Sequence, residues 1–138
     1  MKTIYTAQVT ATGGRHGRIT SSDNILQQDL ALVDGLGKQD SKVGTNPEQL
    51  FAAAYAACFE TSLRAVADHL SIRVTECAVE AFVSLQKDNS GFHIGVTLHV
   101  RLSGVDKDTS QAVLKKAHEV CPYSRAIRNN VAVAMKLI

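Results

Sequence analysis

From Ile4 to Thr12 the chain alternates, with Tyr5, Ala7, Val9 and Ala11 against Ile4, Thr6, Gln8 and Thr10. A period of two marks a strand with two distinct faces, and Gly13-Gly14 ends it with a turn signal. Arg18 to Thr20 and Ile25 to Val33 read as two further strands around a Ser21-Ser22-Asp23-Asn24 turn. The result is an amino-terminal antiparallel meander. Residues 34–45 hold Gly and Lys with few apolar positions, the pattern of an exposed loop. Their length approaches that at which loops tend to be functional or mobile.

Asn46-Pro47-Glu48 then signals a helix start: a capping Asn, a Pro in the first turn, and a carboxylate at the positive end of the dipole. The helix is expected to run to about Leu70. From Leu50 to Phe59 it is apolar on nearly all sides, which predicts burial on all sides, within the protein or an oligomer. Glu60, Arg64, Asp68 and His69 restore a polar face further on. Ser71 to Gln86 and Phe92 to Ser103 are rich in Val, Ile, Thr and Phe, and Lys87-Asp88-Asn89-Ser90-Gly91 joins them as a hairpin. Asp108-Thr109 is read as capping a second helix that reaches about His118, with Ala112, Val113, Leu114 and Ala117 inside. Cys121-Pro122-Tyr123-Ser124 interrupts it, followed by a short helical turn and a last strand over 131–137. Strands, long helix, strands, helix, strand make an α+β fold with segregated elements.

Length and charge narrow the picture. A chain of 138 residues is the size of one domain, so residues 1–138 are expected to form a single domain. Fifteen Lys and Arg against thirteen Asp and Glu give a net charge of +2 without a basic stripe, which argues against a nucleic-acid partner. The longest apolar stretch, Leu50 to Phe59, is ten residues, about half a membrane span. The amino terminus shows no charged-then-apolar leader. A soluble cytoplasmic protein without a membrane partner is expected.

Cys58, Cys77 and Cys121 are odd in number and widely spaced, which disfavours a structural disulfide framework. No Cys-x-x-Cys pair occurs, and His16, His69, His93, His99 and His118 do not repeat at ligand spacing, so no metal site is expected. The histidines read as surface or interface groups. The thiols are then either buried and inert, as Cys77 is read, or a reactive pair. Cys121 precedes a proline and a helix start, a position that favours thiolate. Cys-Pro-Tyr-Ser looks like a glutaredoxin tetrapeptide, but it lies near the wrong end of the chain for that fold. Gly13, Gly14 and Gly17 around Arg15 lack the Gly-Lys-Ser/Thr ending of a phosphate loop.

Three segments together carry a family resemblance. Gly44-Thr45-Asn46-Pro47-Glu48-Gln49-Leu50-Phe51-Ala52-Ala53-Ala54-Tyr55-Ala56-Ala57-Cys58-Phe59 resembles the first-cysteine signature of organic hydroperoxide resistance proteins, the Ohr branch of the OsmC/Ohr family. Val120-Cys121-Pro122-Tyr123-Ser124-Arg125-Ala126 resembles its second-cysteine signature. Ala11-Thr12-Gly13-Gly14-Arg15-His16-Gly17-Arg18 resembles the segment carrying its active-site arginine. The resemblance implies antiparallel sheets around a long central helix, in an intertwined homodimer with active sites at the subunit interface. It implies a thiol peroxidase of organic hydroperoxides, with Cys58 as peroxidatic nucleophile and Cys121 as resolving thiol. Arg15 and Glu48 would be the activating polar pair. The implied reductant is a dihydrolipoyl group on a lipoylated protein, and no cofactor is bound.

These roles make chemical sense. Thiolate attacks the O–O bond, so a peroxidatic cysteine needs a positive neighbour. Arginine stays charged at physiological pH, and its fork can hold the thiolate and the departing alkoxide. Glu48 would orient it. Phe51, Tyr55 and Phe59 would give Cys58 an apolar surround suited to alkyl or lipid peroxides. Glu48 precedes Cys58 by ten residues, about 15 Å of rise on a continuous helix. Either the helix starts later than Pro47, or Arg15 and Glu48 serve the Cys58 of the partner subunit, which is the expectation here. Ala54 and Asn129 stand where the family pattern has glycine. An OsmC-type peroxidase of broader preference, a non-catalytic lipid-binding module and a redox sensor are the competing readings.

Overall fold

The computed structural model describes residues 1–38 and 41–138. The segment 34–45 read as a loop thus lies partly outside the described residues, at positions 39 and 40. The chain forms two compact units, Met1–Leu50 and Phe51–Ile138.

In the first unit, β1 (Val9–Thr12), β2 (Arg18–Ser21) and β3 (Gln27–Asp29) form an antiparallel meander in the order β1-β2-β3. β1 and β3 are shorter than the sequence predicts, while β2 runs one residue beyond Thr20. β2 ends at Ser21, whose backbone N–H binds Leu26 O, and the Ser21 hydroxyl and the Ile25 N–H both go to the Asp23 carboxylate. Gln8 O still accepts the Ser22 N–H at 3.0 Å, but below it β1 has no paired residue in the meander, and Ile4 and Tyr5 are exposed. β3 stops early for a similar reason. Leu30 bridges to Thr45, and Ala31 N–H donates to Thr45 O instead of continuing the meander.

The first long helix, α1 (Pro47–His69), starts at Pro47 as the sequence predicts, so the later start is excluded. Asn46 Oδ1 accepts the Gln49 N–H at 2.8 Å, the expected cap. Ser71 in the left-handed region (φ 55°) ends the helix, with Ile72 N–H returning to Ala67 O. Residues 71–75 are consumed by this exit, which is why the next strand begins later than predicted.

The second unit is a sheet ordered β4-β5-β6, made of β4 (Glu76–Asp88), β5 (Gly91–Ser103) and β6 (Val133–Leu137). β4 and β5 pair from Glu76↔Ser103 to Asp88↔Gly91, so the turn is only Asn89-Ser90. β6 lies parallel to β5, from Val96↔Val133 to Val100↔Leu137, where antiparallel sheets were expected. Parallel neighbours need a crossover, and α2 (Lys107–Val120) and α3 (Pro122–Ile127) supply it. The cap of α2 is Asp106, not Asp108. Its carboxylate accepts the Thr109 N–H at 2.8 Å and the Thr109 hydroxyl at 2.7 Å. Ala112, expected inside, is exposed, whereas Ser110, Val113, Leu114 and Ala117 are buried. The last strand starts at Val133 because Asn130 and Val131 N–H groups return to Ile127 O.

Period two selects the buried face of the sheet. Val96, Leu98 and Val100 of β5 pack with Tyr55, Phe59, Leu63 and Val66 of α1 and Val113, Leu114 and Ala117 of α2. Burying each large apolar side chain contributes about 1.5–3 kcal/mol. Within this chain α1 is buried along one stripe, Tyr55, Phe59, Ser62, Leu63, Val66 and Ala67, while Ala53 and Ala57 are exposed. Among the described residues it is the one helix long and apolar enough to cross a bilayer by length and composition. The sequence reading of a half-length apolar stretch understates it, yet its stripe packs within this core.

Candidate active site

The predicted residues occupy two constellations, one in each unit. In the first, Gly13 (φ 73°) opens a 3-10 turn over Gly14–His16 that carries Arg15. Gly17 closes it so tightly that a Cβ there would meet Thr12 O at 1.6 Å, so only glycine fits. The Lys42 ammonium donates to the carbonyls of His16 and Gly17 at 3.0 and 3.2 Å, which ties the end of the 34–45 segment to the arginine turn. Lys42 was missed in the sequence, where it is one lysine in a polar loop. Arg15 meets Glu48 fork to fork, Nη1 to Oε2 at 2.8 Å and Nη2 to Oε1 at 2.6 Å. Their hydrogen bonds hold the Glu48 carboxyl below its ordinary range and the guanidinium above its own.

In the second unit α1 carries Cys58 and the α2–α3 junction carries Cys121. Cys121 Sγ lies 3.8 Å from Cys58 Sγ, both thiols free. Cys121 and Ser124 are fully buried, Cys58 half-buried. Burial pushes the Cys58 thiol up, and the neighbouring Cys121 raises it further, against a hydrogen bond from the Tyr123 backbone. Burial also pushes Cys121 up, but the backbone N–H and hydroxyl of Ser124, the Ser62 hydroxyl and the Tyr123 backbone outweigh it and leave Cys121 below its ordinary value. Hydrogen bonds to the charged form thus split two adjacent thiols in opposite directions.

Of the three residues read as contacting substrate, Tyr55 and Phe59 are fully buried in the core and Phe51 is half-buried. Phe51 sits edge-on to Tyr55 and to Tyr123, with centroids 6.0 and 6.4 Å apart. Tyr123, which the sequence shows only as part of the second-cysteine signature, is exposed. Tyr55 Oη is 2.7 Å from Ser124 Oγ, and His118 Nδ1 is 3.0 Å from the same oxygen. His118, read in the sequence as a surface or interface group, is therefore half-buried and hydrogen-bonded to Ser124. Ser124 lies inside the second-cysteine signature; for the other two the sequence signals were spacings, Ser62 one turn after Cys58 and His118 three before Cys121. Cys77 packs against the core, and burial beside Glu60 raises its thiol to about 11.

An α+β fold that places two free thiols in contact belongs to a narrow class, and comparison with known proteins identifies it. The OsmC-like protein family model matches residues 37–136. The chain is 48% identical to organic hydroperoxide resistance protein OhrB of Bacillus subtilis over 136 residues, 97% of this chain and 98% of that one. It is 44% identical to the organic hydroperoxide resistance protein of Xanthomonas axonopodis pv. citri, covering 99% and 96% of the two chains. The crystal structure of an organic hydroperoxide resistance protein from Legionella pneumophila superposes with a TM-score of 0.92 at 44% identity, over 99% of this chain and 98% of that one. The chain belongs to the OsmC/Ohr family.

Proposed function

We propose that this protein is a cysteine peroxidase that reduces organic hydroperoxides to alcohols and acts in defence against oxidants. The observation that carries the reading is the 3.8 Å approach of Cys121 Sγ to Cys58 Sγ, in a chain whose relatives are named for organic hydroperoxide resistance. The Cys58 thiolate attacks the distal peroxide oxygen. An S–O bond forms, the O–O bond breaks, and the alkoxide leaves to take a proton as the alcohol. Cys121 then attacks the sulfenic sulfur, forming the Cys58–Cys121 disulfide and releasing water.

Burial alone raises Cys58, so the first step needs a cation beside it. Arg15, held by Glu48, is the candidate, and the reading gives Cys58 to one subunit of a homodimer and the Arg15–Glu48 pair to the other. Ten residues of continuous helix between Glu48 and Cys58, about 15 Å of rise, favour that arrangement. The apolar surround of Cys58, where Phe51 packs with it against the same core, favours an alkyl or lipid hydroperoxide over hydrogen peroxide. A dihydrolipoyl group on a partner protein is the proposed reductant: its two thiols become a disulfide as Cys58 and Cys121 return to thiols.

The test is intact-mass analysis of the reduced protein after one equivalent of cumene hydroperoxide, beside an equal dose of hydrogen peroxide. The expected result is loss of two hydrogens, mapped to Cys58–Cys121 and faster with the organic peroxide. Cys58→Ser should consume no peroxide, and Cys121→Ser should stop after one turnover with oxidised Cys58. An unchanged mass with both oxidants would refute the peroxidase and favour a binding module with inert thiols.

A further inference from the structure

Three groups converge on the hydroxyl of one residue. Ser124 Oγ, fully buried, is 2.7 Å from Tyr55 Oη and 3.0 Å from His118 Nδ1, and it hydrogen-bonds the Cys121 sulfur. A hydroxyl has one proton to give and two lone pairs to receive. Burial raises the Tyr55 phenol, which keeps its proton; either oxygen of the 2.7 Å pair can donate, and we assign the donation to Tyr55. One further acceptance and one donation remain, to be divided between sulfur and imidazole.

Two assignments satisfy every partner of the Ser124 hydroxyl, the first with the Cys121 S–H turned from Cys58 Sγ, 3.8 Å away, to Ser124. With Cys121 as thiol, S–H donates to Ser124 Oγ, and the Ser124 O–H donates to an unprotonated His118 Nδ1. With Cys121 as thiolate, His118 Nδ1–H donates to Ser124 Oγ, and Ser124 donates to sulfur. The two states differ by one proton carried from sulfur to imidazole through the hydroxyl, with no heavy atom displaced. Burial, then the Arg128 cation, keep His118 below its ordinary value, so near neutral pH it is unprotonated with a lone pair to offer at Nδ1, and a proton it takes up is held only briefly. Arg128 is fixed there by donating to the carbonyls of His118 and Glu119 at 3.0 and 3.2 Å. His118 is also the member of the chain with a remaining exposed surface, where the proton can leave.

We propose that Ser124 relays the Cys121 proton to His118 Nδ1 as Cys121 attacks the Cys58 sulfenic acid, with Tyr55 holding the hydroxyl in line. The proposal rests on the peroxidase reading above and concerns its second step. The S–S bond forms and the Cys58 S–O bond breaks. The Cys121 sulfur is oxidised and the sulfenic sulfur reduced. The departing hydroxide and the proton released by His118 sum to one water. Ser124 touches the reacting sulfur, and His118 and Tyr55 are positioning residues that act through it.

The experiment follows one turnover in reduced protein given one equivalent of cumene hydroperoxide, quenched at intervals into dimedone and a thiol-blocking reagent. Intact mass then separates Cys58 sulfenic acid from disulfide. In Ser124→Ala the sulfenic acid should persist roughly a hundredfold longer, the lower range for loss of a positioned proton acceptor. Ser124→Thr, which keeps the hydroxyl, should restore closure and shows that the fold tolerates the site. His118→Asn keeps a hydrogen-bonding group near Nδ1 but takes no proton, so it should be as slow as His118→Ala. Parent-like closure in Ser124→Ala or in His118→Asn would overturn the relay. Absence of any sulfenic acid or disulfide in the unmodified protein would instead remove the peroxidase reading, and the relay with it.

Discussion

Replacing Glu48 by Gln tests the Arg15 clamp with almost no change of shape. The carboxylate receives both arms of the guanidinium, at 2.6 and 2.8 Å, with its side chain 14% exposed and that of Arg15 32% exposed. Gln keeps one acceptor but turns an amide N–H₂ toward the other guanidinium nitrogen, so donor faces donor. Exposed ion pairs are worth about 0–1 kcal/mol, and charged hydrogen bonds about 1.5–3. A two-armed pair screened on one side should fall between, at about 1–2 kcal/mol. Glu48 also sits in the first turn of α1, where a negative charge adds about 0.3–1 kcal/mol of its own. A double-mutant cycle with Arg15→Gln removes that contribution and isolates the coupling.

Urea unfolding at several pH values is the assay. The folded Glu48 pKa lies below its unfolded value, so its stabilisation is complete above the unfolded pKa, about 4.3, and is lost as pH falls through the folded one. The Glu48→Gln penalty should thus be full at pH 7 and shrink below about pH 4. Arg15 is raised, so its share is present at every pH used and lost only above its folded pKa. A coupling near zero, or a penalty constant from pH 7 to pH 3, would refute the clamp.

Three further outcomes are expected. Gly17→Ala, whose methyl would strike Thr12 O, should cost about 3 kcal/mol or more and lower the melting temperature; melting within a degree of the parent would contradict the turn geometry. Asn129 adopts φ 64°, so Asn129→Ala should lose about 1 kcal/mol in urea unfolding while Asn129→Gly stays near neutral. Cys77, raised to about 11, should react with iodoacetamide roughly a hundredfold slower at pH 8 than a free thiol and climb with pH towards that value, as read by peptide mass.

What could be read from the chain was whatever short-range chemistry decides. Asn46, Pro47 and Glu48 fix the start of α1 through adjacent atoms, and the meander and the β4–β5 hairpin follow from alternation and turn residues. The errors arose where a distant partner decides. Ile4 to Ala7 alternates as well as Val9 to Thr12 does, but β2 is too short to pair with it. Nothing in the composition of β6 says whether it runs parallel or antiparallel to β5. Asp106 and Asp108 are equally good caps by type, and the position of Thr109 decides between them. At the site, the cysteines, Arg15 and Glu48 were named through motif resemblance. Ser62, Ser124 and His118 are ordinary helix residues in the sequence, and they gain meaning only once the helices bring them to the sulfurs.

The parallel docking of β6 on β5 carries a consequence for the order of folding. β4 and β5 can zip from their own turn, as local hairpins do within microseconds. β6 has no such shortcut: α2 and α3 must be laid across the sheet before it reaches its edge. Such long-range pairing is the slow part of assembly. Cys121 rides on that travelling segment, while Cys58 is already placed on α1. Until the last strand seats, the two sulfurs belong to separately moving parts of the chain. Completion of the sheet is thus also the event that brings the two sulfurs together, and a half-folded molecule lacks their 3.8 Å contact.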